Sequence, residues 1–225
     1  MTYETNEPIP SLFPWLMKRN STLVNNLGHA AMLFLVAGMA AFTTGCRTVN
    51  IKVSPTARIR DASGKKLALS VGLMLDDRFC TNRFLIRDSG SIYPFGPTLK
   101  QQSMSLCEQS FERVIVSTDG VVPAGVDVTL TPYMHRCGIG LGYGGRKPDI
   151  TLLLQWTLRT ADNRNILWMT TVDGRGHQSE PKVYQLVFDD LATKSYRAFQ
   201  ESPQIKWLIA KKAGSATSAA NGSHE

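Results

Sequence analysis

Cysteines, histidines and two adjacent aspartate pairs are the side chains here whose chemistry could carry a reaction. A nucleophilic Cys or Ser needs a base beside it. His135 stands two residues from Cys137, a spacing that points both side chains to one face of a strand. No third group orients them, and a structural histidine is the expected reading. His177 has no such neighbour, and His224 lies in the tail. Asp76-Asp77 closes a strand and Asp189-Asp190 lies on a helix, neither joined by His or Glu at metal-ligand spacing. Cys80, Cys107 and Cys137 follow one another at 27 and 30 residues, with no C-x-x-C. No catalytic group, metal or cofactor is expected. Gly140-x-Gly142-x-x-Gly145 has the form of a dinucleotide fingerprint, but that motif must open a helix whose N-terminus holds the pyrophosphate. Arg146-Lys147-Pro148 and a strand pattern follow instead, so the segment reads as a glycine-rich loop between strands. Tyr143, Arg146 and Lys147 make it a candidate contact loop for a partner or a lipid headgroup.

Cys46 is a different case. It ends an apolar run, Ala30 to Phe42 ("AAMLFLVAGMAAF"), of thirteen residues without a charge. At ~1.5 Å per residue that is roughly 20 Å of helix, short of the ~30 Å hydrocarbon core and suited to a signal peptide. Lys18 and Arg19 supply the positive flank, and Thr43, Thr44 and Gly45 are the small residues before the cysteine. Phe42-Thr43-Thr44-Gly45-Cys46 resembles the cleavage box of bacterial lipoproteins, with Thr43 where that family usually carries Leu. The resemblance implies cleavage between Gly45 and Cys46, a diacylglyceryl group on the Cys46 thiol, and a further acyl chain on the new N-terminus. Two chains are enough for stable anchoring. Arg47 follows, where Asp in many such proteins signals inner-membrane retention. The resemblance therefore points to the outer membrane of a Gram-negative cell, with the domain facing the periplasm. Met17-Lys18-Arg19 reads as the start of such a leader, whereas residues 1–16 hold two acids, three prolines and no base. An uncleaved inner-membrane anchor is the alternative, and the shortness of the run argues against it.

Removing residues 1–45 as a signal peptide leaves 180 residues, enough for one domain with a sizeable core. The net charge stays at +7, because Lys18 and Arg19 are balanced by Glu4 and Glu7. A basic envelope protein suits anionic lipid or an acidic partner. Export and the scatter of the basic residues disfavour nucleic acid. In an oxidising compartment Cys80 and Cys137 are the candidate disulfide, with Cys107 on the apolar face of a helix.

The elements that must position these residues follow from periodicity. Val49, Ile51 and Val53 alternate as a strand; Leu67 to Leu73 reads as a central strand, and Phe84–Ile86 as a short one. Gly96-Pro97-Thr98 opens a helix, with Thr98 and Gln101 as a capping box and Leu99, Leu106, Cys107, Phe111 and Val114 as its stripe. "RVIVSTDG" and "GVDVTLTPY" read as strands. Ile150–Leu158 and Ile166–Val172 form a hairpin that could bring Trp156 and Trp168 to one face. A second helix starts near Ser179-Glu180-Pro181, turns Tyr184, Val187, Phe188 and Leu191 inward, and ends at Ser202-Pro203. "QIKWLIAKK" adds a turn or two. Residues 46–210 are expected to form one α+β domain, a two-layer sandwich of a largely antiparallel sheet with two helices on one face. The small polar residues of 211–225 are expected to form a disordered tail.

The function expected is non-enzymatic: an accessory subunit, lipid-anchored in the envelope, of an outer-membrane assembly, secretion or transport complex, with a protein partner or a second copy. The architecture resembles lipoproteins that brace such machines. The alternative is a periplasmic enzyme or small-ligand binder, which would need Asp76, Asp77, His135 and Cys137 to converge on a pocket.

Overall fold

The structure is a computed structural model and describes residues 47–60, 62, 64–86, 90–140, 148–179 and 181–221. The chain divides at residue 47, and Thr48–Glu225 forms one compact unit. Its fold is the α+β sandwich expected from the periodicity. Strand β2 (Leu67–Met74) is central and runs parallel to both neighbours, β5 (Phe111–Ser117) and β6 (Val128–Gly140). Strands β6, β7 (Asp149–Thr160) and β8 (Ile166–His177) form an antiparallel meander, giving the order β5-β2-β6-β7-β8. Most of the pairing is antiparallel. A second, three-stranded sheet has the order β1-β4-β3, with β1 (Arg47–Thr48), β4 (Ser91–Tyr93) and β3 (Phe84–Ile86).

Helices α2 (Phe95–Ser110) and α3 (Lys182–Glu201) cover one face of the five-stranded sheet. That face takes Leu69, Val71 and Leu73 from β2 and Ile150, Leu152, Leu154, Trp156 and Leu158 from β7, all buried. Gly174 and Gly176 on β8 let α3 approach. A Cβ on either would fall 2.6 Å from the carbonyl oxygen of Val187 or Val183, inside contact distance. Trp156 and Trp168 both reach Phe199 of α3, with ring centroids at 5.2 and 6.1 Å, so the hairpin register does bring the two indoles to one face. The Trp156 indole N–H donates to Ser195 Oγ at 2.9 Å, so the buried donor is satisfied.

Four sequence expectations are corrected. The helical stripe does not run on to Phe111 and Val114, because α2 ends at Ser110 and both residues belong to β5. The alternation of Val49, Ile51 and Val53 does not make a long strand. After β1 the chain runs as a strap across α2 and α3, and helix side chains satisfy its backbone. Ser54 N–H donates to Gln185 Oε1 (2.7 Å), Ala57 N–H to Ser105 Oγ (3.0 Å) and Arg60 N–H to Thr193 Oγ1 (3.0 Å). The Ser54 carbonyl accepts from Gln102 Nε2, and that of Ala57 from Gln109 Nε2 at 2.9 Å. An extended segment lying on helices finds no neighbouring strand, so side chains take the place of a ladder. Its apolar residues Val49, Ile51, Val53 and Ile59 pack against the core.

The Thr98–Gln101 capping box does not form, because α2 begins at Phe95, after Pro94, without a side-chain cap. Packing fixes the start instead: Phe95 is fully buried among Tyr93, Tyr184 and Phe188, and Gly96 N–H donates to the Asn82 carbonyl at 2.9 Å. Finally, the chain beyond Ser202 is not a turn or two followed by a disordered tail from 211. Helix α4 (Pro203–Asn221) runs through it. Ile205 seats its first turn in the core, and no proline follows Pro203 to stop the helix. Residues 222–225 lie outside the described residues.

Candidate functional site

Among the described residues, no helix covers the opposite face of the five-stranded sheet. Over β2 it is closed by the 118–127 connection: Ser70 N–H donates to Asp127 Oδ2 at 2.6 Å, and Pro123 lies over Gly72. Over β6, β7 and β8 it is open. Register there sets cross-strand rows: Thr131, Thr157 and Met169; then Tyr133, Gln155 and Thr171; then Arg136, Leu153 and Asp173; then Gly138, Thr151 and Arg175. Tyr133 and Met169 are each 56% exposed, large apolar groups left to solvent. Between the rows lies an open trough of about 480 Å³, lined by Arg136, Gly138, Thr151, Leu153, Thr171, Asp173 and Arg175. The missing side chain at Gly138 contributes to its width.

Asp173 is the electrostatic centre of this region. It meets Arg175 Nε at 2.5 Å and Lys194 Nζ at 3.2 Å. Burial pushes its carboxyl up, but the hydrogen bonds from Arg175 and Lys194 outweigh that and hold it below the ordinary carboxylate value. Lys194, reaching from α3, also meets Asp190 at 2.9 Å and donates to the Asp173 carbonyl at 2.8 Å. Asp190 accepts the Arg175 N–H at 2.9 Å. Two groups of α3 thus occupy the outer N–H and C=O of β8 at this point, which blunts an edge strand against chance pairing. Among the described residues, Arg136 has no acidic partner.

The residues singled out from sequence are not brought together. A bulge between Met134 and Arg136 separates His135 from Cys137, so the two do not share a face as the strand spacing had suggested. His135 stays on the open side, its ring 5.7 Å from Tyr133, while Cys137 pairs across to Leu152 and packs on the core side. Asp76 caps the short helix α1 (Asp77–Cys80), accepting the Phe79 N–H at 2.6 Å, and the Asp77 carbonyl accepts from Thr81. Asp189 accepts from Gln185 at 2.6 Å. None of Asp76, Asp77, His135 and Cys137 lines the trough. No group of three or more His, Cys, Asp or Glu able to hold a metal occurs among the described residues.

The candidate disulfide is corrected as well. Cys80, Cys107 and Cys137 are free thiols. Cys80 and Cys137 are each half-buried against the core, on α1 and β6, rather than exposed. Burial pushes the Cys137 thiol up to about 12 and raises those of Cys80 and Cys107, so all three favour the unreactive protonated form.

Gly45 and Cys46 lie outside the described residues, as do Tyr143, Arg146 and Lys147. Gly140 ends β6 and pairs with Asp149 at the start of β7, and the rest of the glycine motif lies outside the described residues. The sequence pointed to none of Arg136, Thr151, Leu153, Asp173 and Arg175 as site residues. Their signal was the odd-numbered side of the hairpin, which carries Thr151, Gln155 and Thr157 but gives no sign of being uncovered. No helix among the described residues is long and apolar enough to cross a membrane.

No family model matches the chain, and no curated protein matches it in sequence. Among solved structures it is similar to protein XCC0632 of Xanthomonas campestris, from family DUF330. The identity is 11%, covering 75% of this chain and 99% of that one, at a TM-score of 0.47. It is similar to the PelC dodecamer of Paraburkholderia phytofirmans, at 13% identity, 62% and 92% coverage and a TM-score of 0.36. Lipoprotein GNA1162 of Neisseria meningitidis is similar at 13% identity, 59% and 99% coverage and a TM-score of 0.35.

Proposed function

We propose that this protein is a non-enzymatic lipoprotein of the cell envelope, acylated at Cys46 after cleavage behind Gly45. It serves as an accessory subunit of an outer-membrane assembly, secretion or transport complex. One observation carries the reading: the compact unit begins at Thr48, two residues past the cysteine that the cleavage box selects. A cleavage box and a fold boundary that coincide are what a processed, anchored domain requires. Asp76, Asp189 and Asp190 also have structural work, capping α1 or bonding to Gln185 and Lys194, and burial favours the protonated thiols. The open face of β6–β8, with exposed Tyr133 and Met169 beside Arg136 and Arg175, is the surface offered to a protein partner or to a second copy.

The test is the intact mass of protein extracted from membranes, beside a Cys46→Ser variant. Expected is a chain that starts at Cys46 and carries added acyl mass, absent from the variant. A chain that retains residues 17–45 without lipid would overturn the reading.

The trough favours a second reading, a small-ligand-binding lipoprotein. Arg136 and Arg175 on its walls would suit an anionic ligand. Saturable binding of a small anionic envelope component, abolished by Arg136→Ala, would establish it in place of a protein contact.

A further inference from the structure

The parallel strands place the elements at two ends of the molecule. β2, β5 and β6 run the same way, and β8 runs with β6, so all four point to one end of the molecule, where β6 and β8 extend past β2 and β5. α3 runs back along β8, with Val183 against Gly176 and Leu191 against Gly174, so its first turn lies at that same end. Phe95 at the start of α2 meets Tyr184 and Phe188 there, and Tyr93 of β4 stacks on Phe95 at 6.0 Å. The three-stranded sheet therefore sits at this end. α4, with Trp207 58% exposed, begins at the other.

The small sheet has two unlike faces. Phe84 and Tyr93 form a cross-strand pair that packs inward. Leu85 and Ile92 form the next pair, on the outward side, and Leu85 is 55% exposed. Arg47, Arg78 and Arg83 are exposed at this end, against Asp76 and Asp77. The chain is fixed here almost at once: Val49 N–H donates to the Ile92 carbonyl at 2.8 Å, three residues after Cys46. Three residues span at most about 10 Å.

From this we propose that the outward face of β1–β4–β3, centred on Leu85 and Ile92, is a lipid-contacting surface. It is held flush against the bilayer by an anchor with no linker, so that the α4 end points away from the membrane. The proposal rests on the acylation of Cys46 proposed above. An apolar pair on an end where three exposed arginines outnumber two exposed aspartates suits a bilayer containing anionic phospholipid, where basic groups gain at the surface and apolar groups gain below it. A domain on a flexible tether would have no such face, since it would sample every orientation. Here the geometry leaves acyl chains rooted within about 10 Å of Leu85's own sheet, and the exposed leucine then has an apolar phase to enter.

The experiment uses the full chain, processed and acylated, in vesicles of phosphatidylethanolamine and phosphatidylglycerol. A nitroxide is placed at Leu85→Cys or at Trp207→Cys, in a Cys80→Ser/Cys137→Ser background where Cys107 stays buried. Intact mass is recorded on each sample. Expected is a label at 85 that loses access to a water-soluble nickel chelate and gains access to oxygen, while the label at 207 stays aqueous. A long Gly/Ser spacer inserted between Cys46 and Arg47 should return the label at 85 toward water without releasing the protein. Acyl mass with an aqueous label at 85 would overturn this proposal and leave the anchor standing. Absence of acyl mass would overturn both.

Discussion

The two faces of the five-stranded sheet are made by the same strands and have opposite fates. On β7 the even positions Ile150, Leu152, Leu154, Trp156 and Leu158 are buried under α3, while the odd positions Thr151, Leu153, Gln155 and Thr157 are half-buried on the open side. A period of two lets one strand serve both. The covered face is closed by shape, through two glycines that admit α3 and a strap that seals the helical layer. The open face is held by charge, through Asp173 between Arg175 and Lys194. Burying each large apolar side chain contributes roughly 1.5–3 kcal/mol, whereas exposed ion pairs contribute ~0–1 kcal/mol. Stability therefore resides on one face, and the other is free to specify contacts.

Substitutions that exchange the properties of the two faces should sharpen or break this contrast. The largest effect is expected from Gly174→Val. Its Cβ would meet the Val187 carbonyl oxygen at 2.6 Å, and displacing α3 should cost more than ~4 kcal/mol, read as loss of folded protein or a collapsed urea midpoint. The matching Gly138→Val on the open face, whose nearest contact would lie at 3.9 Å, should change stability by less than about 1 kcal/mol. Equal losses at the two glycines would refute the contrast. Next comes Ser195→Ala, which strands the Trp156 indole N–H in the core and should cost ~1–3 kcal/mol.

Gln109→Ala removes a donor to the strap. It should cost about 0.5–1.5 kcal/mol and speed hydrogen exchange of the Ala57 and Arg60 amides well before global unfolding. The smallest effect is electrostatic. Because Asp173 is held below the ordinary carboxylate value, it stabilises the fold above about pH 4, and that contribution is lost as pH falls through its lowered pKa. Urea midpoints measured across this range should show a small acid-side slope that Asp173→Asn removes. A slope unchanged in the variant would assign the acid sensitivity to other carboxylates.

Most of the fold was legible because its long elements advertise a period. The hairpin of β7 and β8 and the stripe of α3 read directly from residues such as Trp156, Val187 and Leu191. The failures have a common cause, in that each depended on what lay next to a segment. Val49, Ile51 and Val53 alternate like a strand but lie on helices. Thr98 and Gln101 have the spacing of a cap, yet tertiary contacts of Phe95 start the helix earlier. The parallel course of β2 and the bulge beside His135 are properties of pairing, which a single strand's sequence does not carry. The site was the least legible part for the same reason. Arg136, Thr151 and Arg175 are ordinary surface residues until the structure shows that no helix among the described residues covers them.

The claim that the open face carries the protein's contacts is tested most directly by photocrosslinking in intact envelopes. A photoreactive residue at Arg136 is compared with one at Gln101, exposed on the helical layer. The account predicts a discrete protein adduct from position 136, to a partner or to a second copy, and none from position 101. Adducts from 101 with none from 136 would contradict it, and would move the working surface to the helices.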